Sequence, residues 1–182
     1  MVLTKCEIPG LLVIEPKVFA DERGVFYETF NEKKFIEATG IERLKFYQDN
    51  ESISKKNVLR GLHFQKPPHA QGKLIRVVQG SVLDVAVDLR KGEATYGQHF
   101  TIELSAENKK QLWIPEGFAH GFVALEENTI FNYKCTNYYS PESERTIQWD
   151  DIDLDIDWKI KEPLISEKDK KGQDFATFVT DF

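Results

Sequence analysis

Lys73-Leu74-Ile75-Arg76-Val77-Val78, then Gln79-Gly80-Ser81, then Val82-Leu83-Asp84-Val85-Ala86-Val87-Asp88-Leu89 is the stretch that decides the fold. Val82, Asp84, Ala86 and Asp88 alternate with Leu83, Val85, Val87 and Leu89. A period of two belongs to a strand, not a helix. The glycine in the short connection suits a tight turn, so the two runs are expected to pair as a hairpin.

The same pattern extends in both directions. Upstream, Gly10 to Ile14 reads as a strand stopped by Pro16, and Val18-Phe19 begins a second extended piece. Asp21-Glu22-Arg23-Gly24 is a turn, and Val25 to Phe30 returns as a strand. Asn31 is expected to cap one helix, Glu32 to Thr39, which buries Phe35 and Ile36 and stops at Gly40. Leu44 to Ile53 is extended and polar. Downstream, Tyr96 to Leu104 and Gln111 to Pro115 are strands. Gly121 to Leu125 is expected to pair with Ile130 to Cys135 across Glu126-Glu127-Asn128, and Thr146 to Trp149 is a last short strand. Many short strands with little helix indicate an all-β sandwich or barrel. From Asp150, acidic residues alternate with Ile152, Leu154, Ile156 and Trp158, which predicts a solvated acidic side and a packed apolar side. The tail, Leu164 to Phe182, is charged and then apolar; it could wrap the domain, pack on a partner or fray.

The 182 residues suit one domain with a real core. Thirteen phenylalanines against one methionine fit a β-rich interior. The net charge of −6 advertises no nucleic-acid surface, although local cations can still bind an anion. Cys6 and Cys135 are far apart and read as reduced thiols of a cytoplasmic protein, with a disulfide the less favoured alternative. There is no signal-peptide pattern and no apolar run of membrane-spanning length.

Chemistry concentrates in Arg60-Gly61-Leu62-His63-Phe64-Gln65-Lys66-Pro67-Pro68-His69-Ala70-Gln71-Gly72-Lys73, where an arginine, two histidines and two lysines crowd a glycine-broken loop. Further on, Pro115-Glu116-Gly117-Phe118-Ala119-His120 has the form P-x-G-x-x-H, the second signature of the cupin superfamily. The first signature, H-x-H followed by a glutamate, is incomplete: Gln65 stands where its second histidine belongs. His63 and His120 without the remaining ligands make a poor metal site.

Taken together, Arg60 to Gln65, Gln71-Gly72-Lys73-Leu74, Pro115 to Phe122 and Tyr133-Lys134-Cys135-Thr136-Asn137-Tyr138-Tyr139-Ser140-Pro141 resemble the dTDP-4-dehydrorhamnose 3,5-epimerase, or RmlC-type, family. Asp21 to Gly24 with Phe26 and Glu28, Trp149 to Trp158, and Ser166-Glu167-Lys168-Asp169 fit as well. The resemblance implies a cupin-type jelly roll with a few short peripheral helices. It implies one domain over 1–182, with 160–182 a tail packing on it. It further implies a cytoplasmic homodimer with no cofactor and no metal, acting on a dTDP-sugar and on neither nucleic acid nor membrane.

The implied reaction inverts C3 and C5 of dTDP-4-dehydro-6-deoxyglucose. Inversion beside a ketone needs a base, an acid and a group that stabilises the enolate. By resemblance His63 is the base, held in its tautomer by Asp169. Lys73 faces the C4 oxygen, and Tyr133 is the proton donor on the opposite face. Arg23 and Arg60 match contacts to phosphate and sugar, for which the guanidinium fork is suited. Glu28, Gln48, Asn50, His120, Glu144 and Lys168 match substrate contacts, and Tyr139 matches an aromatic stacked on thymine. Taken singly, each of these residues has a plainer reading as a core aromatic, a bonded core histidine or a surface cation. His69 and His99 receive no role. The chain departs from the family pattern in its tail, where Lys170-Lys171-Gly172-Gln173-Asp174 intervenes before the final apolar run. The rival readings are an epimerase inverting only one of the two carbons, a silent nucleotide-sugar binder, and a metal-dependent cupin.

Overall fold

In the computed structural model, which describes residues 1–42 and 44–182, fourteen strands and one α-helix are defined. In chain order they are β1 (Val2–Lys5), β2 (Leu12–Glu15), β3 (Phe19–Asp21), β4 (Gly24–Phe26), α1 (Glu32–Thr39), β5 (Gln48–Ser54), β6 (Val58–Gln65), β7 (Lys73–Gln79) and β8 (Ser81–Asp88). Then come β9 (His99–Ser105), β10 (Gln111–Ile114), β11 (Phe118–Ala124), β12 (Thr129–Cys135), β13 (Glu144–Thr146) and β14 (Leu164–Ile165). Two sheets carry the fold. One has the order β1-β2-β10-β7-β12-β5, the other β13-β6-β11-β8-β9. Among the described residues no helix is long and apolar enough to cross a membrane.

Two sequence expectations are corrected here. β7 and β8 do not form a hairpin, and neither do β11 and β12. In each case the first strand ends in one sheet and the second starts in the other. The connections through Gln79-Gly80-Ser81 and Glu126-Glu127-Asn128 are corners of a two-sheet sandwich. Local turn chemistry is the same for both arrangements; only the partners across each strand distinguish them. β7 instead pairs with β10 and β12, and β8 with β9 and β11.

The packing has three layers of apolar contact. Between the sheets lie Ile75, Val77, Val82, Ala86, Leu112, Phe122 and Phe131. Outside the first sheet, α1 lays Phe35 on Leu12, Leu74 and Trp113. The helix begins and ends as the sequence predicts: Asn31 Oδ1 accepts from the Lys34 amide, and the Gly40 amide donates to the Ile36 carbonyl. Outside the second sheet, Leu59, Leu62, Phe64, Val85 and Val87 are covered by Ile147, Leu154, Trp158, Phe175, Phe178 and Phe182. This is why β8 is buried on both faces.

The segment after Asp150 does not follow its alternation. Ile152 is 89% exposed, while Asp151 is buried. Asp151 Oδ1 accepts from the Asp153 and Leu154 amides, and its Oδ2 accepts from the Phe175 amide. The segment is a run of turns, and its carboxylate fastens the tail to the body. The last sequence-predicted strand is also shifted: β13 closes at Thr146, and Ile147 exchanges two backbone hydrogen bonds with Leu62 and makes an isolated bridge to Gln173.

Candidate active site

The inner faces of the two sheets enclose a cavity of about 410 Å³. From the first sheet it receives Gln48, Asn50 and Ser52 of β5, Lys73 of β7, and Phe131 and Tyr133 of β12. From the second it receives Arg60 and His63 of β6 and His120 and Phe122 of β11. Tyr139, Glu144, Lys168 and Asp169 complete its rim and floor.

Arg60 and His63 are three positions apart, so a regular strand would aim them at opposite faces. A bulge between them removes the conflict. His63 pairs with His120, whereas Arg60 pairs with Phe122, a slip of one residue. Gly61 makes this possible. Its φ is 136°, and a Cβ there would lie 2.5 Å from the Gly121 Cα, so no side chain fits.

His63 Nε2 lies 2.6 Å from Asp169 Oδ1. Asp169 is buried and arrives from the tail, where the backbone amide of Asp169 donates to Ser166 Oγ. Burial pushes its carboxyl up, but hydrogen bonds from His63 and Ser166, the His63 charge and the Gly61 backbone outweigh this and hold it below the ordinary carboxylate value. His63 Nδ1 has no hydrogen-bond partner among the described residues.

Lys73 is buried, and its Nζ donates one long bond, 3.4 Å, to the His63 carbonyl. Burial lowers its pKa, against the opposing charges of Cys135, Asp84 and Glu144. Burial pushes the Tyr133 phenol up to about 12; Cys135 and Glu144 add to this and Arg60 opposes it. His120 stacks at 17° on Phe131, with ring centroids 6.0 Å apart. Its Nε2 faces both oxygens of Asp84, at 3.1 and 3.0 Å.

At the rim, Lys168 Nζ meets Glu144 Oε2 at 2.5 Å, and the Tyr139 hydroxyl donates to the same oxygen at 2.8 Å. Burial raises the Glu144 carboxyl, and these partners more than reverse that. Gln48 Nε2 donates to Asn50 Oδ1, and Gln48 Oε1 accepts from the Tyr139 amide. Arg60 Nε donates to Ser54 Oγ, which leaves its outer nitrogens free of protein partners among the described residues.

Two sequence candidates are not brought to this cavity. Arg23 lies on the β3–β4 hairpin with its side chain 85% exposed, forked onto Asp21. Glu28 is bonded to Lys34 and Asn31 at the start of α1. Gln65, at the position of the absent cupin ligand, is used on loop backbone. Its Nε2 donates to the His69 and Tyr138 carbonyls, and its Oε1 accepts from the Ser140 amide. Asp84 was missed by sequence reasoning, although the signal was available: it is an acidic residue between Val82 and Ala86 on the inward parity of its strand. Ser52 was missed too; its Oγ is buried with no hydrogen-bond partner.

The arrangement suits proton transfer on an anionic sugar. A histidine–carboxylate pair stands on one sheet, a protonated phenol on the other, and a buried ammonium between them.

Comparison with known proteins places this geometry in context. The family model for dTDP-4-dehydrorhamnose 3,5-epimerase matches residues 5–177. The chain is 55% identical over 176 residues to a dTDP-4-dehydrorhamnose 3,5-epimerase of Shigella flexneri, covering 97% of each. It is 56% identical over 170 residues to that of Salmonella typhimurium, covering 93% of this chain and 92% of the relative. A crystal structure of dTDP-6-deoxy-D-glucose-3,5-epimerase RmlC from Legionella pneumophila, in complex with dTDP-4-keto-L-rhamnose, superposes with a TM-score of 0.93 at 48% identity. It covers 98% of this chain and 94% of that one.

Proposed function

The chain belongs to the dTDP-4-dehydrorhamnose 3,5-epimerase family, and from that premise we propose that it converts dTDP-4-dehydro-6-deoxyglucose to dTDP-4-dehydro-L-rhamnose by inverting C3 and C5. The observation that carries this reading is the His63–Asp169 pair in one cavity with Tyr133 and Lys73.

His63 Nε2–H donates to Asp169, which leaves Nδ1 bare as the base. Nδ1 takes the proton from the carbon beside the C4 ketone, and the C–H electron pair moves into an enolate. Lys73 places its ammonium against the enolate oxygen, where negative charge develops. Tyr133 returns a proton from the opposite face, and its raised pKa keeps it protonated at neutral pH. Arg60 and Lys168 hold the diphosphate, Tyr139 stacks on the thymine, and His120, Gln48, Asn50 and Glu144 contact sugar and nucleotide. Exchange with solvent then removes the proton from His63 and returns one to Tyr133, and the reaction repeats at the second carbon. The chain works as one unit over 1–182, because 160–182 supplies Lys168 and Asp169.

The working form is a homodimer. Phe19, Val25 and Phe26 are more than half exposed on the β3–β4 hairpin, and Arg23 sits at its tip. A second copy covers these apolar side chains and receives Arg23 and Glu28 at its own substrate. The free thiols of Cys6 and Cys135 accord with a cytoplasmic setting.

The test is incubation of the intact protein with dTDP-4-dehydro-6-deoxyglucose in deuterated water, followed by NMR. Deuterium at both C3 and C5 is expected. Incorporation at one carbon would make it a single-site epimerase, and none at either would overturn the assignment. Sedimentation should show a dimer, and a monomer at working concentration would exclude the shared site.

A further inference from the structure

The inner wall holds a second histidine–carboxylate pair, whose carboxylate has no role in the reaction above. Asp84 of β8 is fully buried, 0% exposed, and both its oxygens face His120 Nε2. Its side chain has no other hydrogen bond among the described residues. His120 lies directly opposite His63 in the β6–β11 register, so the two pairs stand side by side on neighbouring strands.

We propose that Asp84 is a positioning residue, whose carboxylate turns the Nε2–H of His120 into the wall and leaves Nδ1 facing the cavity as a hydrogen-bond acceptor for a ring hydroxyl of the hexose. This deepens the epimerase reading and rests on it. A buried carboxylate with one hydrogen-bond partner needs a proton from that partner, because an unsatisfied buried charge is costly. His120 Nε2 is the atom in place to supply it. The bond made by one ring nitrogen fixes the state of the other. His120 Nδ1 has no protein partner among the described residues, and the residue lines the cavity.

The groups facing the ring are Asp84 from β8, His63 from β6 and Lys73 from β7. Burial lowers the His120 pKa; Asp84 opposes this, while Lys73 and His63 lower it further. Burial thus favours the neutral ring, and the nitrogen that faces Asp84 carries its one proton. A bare Nδ1 cannot pair with a ketone oxygen, since both are acceptors. It pairs with a hydroxyl. His120 thus reads the sugar's hydroxyl pattern, while Lys73 takes the oxygen that becomes the enolate.

The test has two arms. Long-range ¹H–¹⁵N correlation NMR of the intact protein, with His120 assigned by His120→Asn, should show the neutral Nε2–H form from about pH 6 to about pH 8. The Nδ1–H tautomer, or a charged ring in that range, overturns the proposal. This arm does not depend on turnover, so its failure is separable from failure of the epimerase reading. The second arm is a double-mutant cycle on kcat/KM. Asp84→Asn should lower kcat/KM about 10- to 100-fold with dTDP binding kept, and should cost less than about twofold once His120→Asn is present. Equal losses in both backgrounds overturn it. If Asp84→Asn does not fold, the NMR arm decides alone.

Discussion

His63 Nε2 and Asp169 Oδ1 are 2.6 Å apart, although 106 positions separate them in sequence. The connection runs through the tail. β14 pairs in parallel with β6, and a 3₁₀ turn over Asp169–Lys171 then brings the carboxylate under the histidine. The pair is thus complete only when the last part of the chain has docked.

Asp169→Asn should therefore lower kcat for epimerisation by about 10²- to 10⁴-fold, because the imidazole loses its orienting acceptor. dTDP affinity should stay within a few-fold, as read by calorimetry. Stability carries a sign as well. The carboxyl is depressed in the folded protein, so its contribution is present above the unfolded value of about 3.9 and is lost as pH falls through the folded value. Urea unfolding should show a gap between wild type and variant at neutral pH that closes in acid. A pH-independent gap would remove the electrostatic account.

Tyr133→Phe removes the hydroxyl on one sheet and leaves His63 on the other. Solvent deuterium exchange of the substrate should survive better than inverted product accumulates, with product falling at least about 10²-fold. Equal loss of exchange and product would take the acid role away from Tyr133.

Lys73→Met tests a conflict between function and stability. Burial disfavours the ammonium, and its one bond, to the His63 carbonyl, is long. The variant should lose about 10²- to 10³-fold in kcat and melt at the same temperature or a few degrees higher. A large fall in melting temperature would mean that the ammonium is a structural group.

Gly172→Ala acts at a distance. A Cβ at Gly172 would lie 2.6 Å from the Gln148 backbone, so the tail must shift just beyond Asp169. Activity should drop about tenfold with a lower melting temperature, since small displacements of a catalytic pair are costly. Unchanged kcat would show that Asp169 is held independently of the following turn.

By itself the sequence determined the period-two strands, the single capped helix and the crowding of His63, Lys73 and Arg60 around one loop. Each of these is local: strand parity, a cap and a loop depend on residues a few positions apart. The family motifs added Tyr133, His120 and Asp169. Only the tertiary structure decided which strands are neighbours. Gly80 and Asn128 look like hairpin turns, yet each carries the chain between sheets, because the apolar inner faces of both sheets can be buried only against each other. It also decided that the slip at Gly61 turns Arg60 and His63 to the same side, that Arg23 and Glu28 stand outside the cavity, and that Asp84 meets His120. Such pairings rest on contacts between residues tens of positions apart, and no local pattern encodes them.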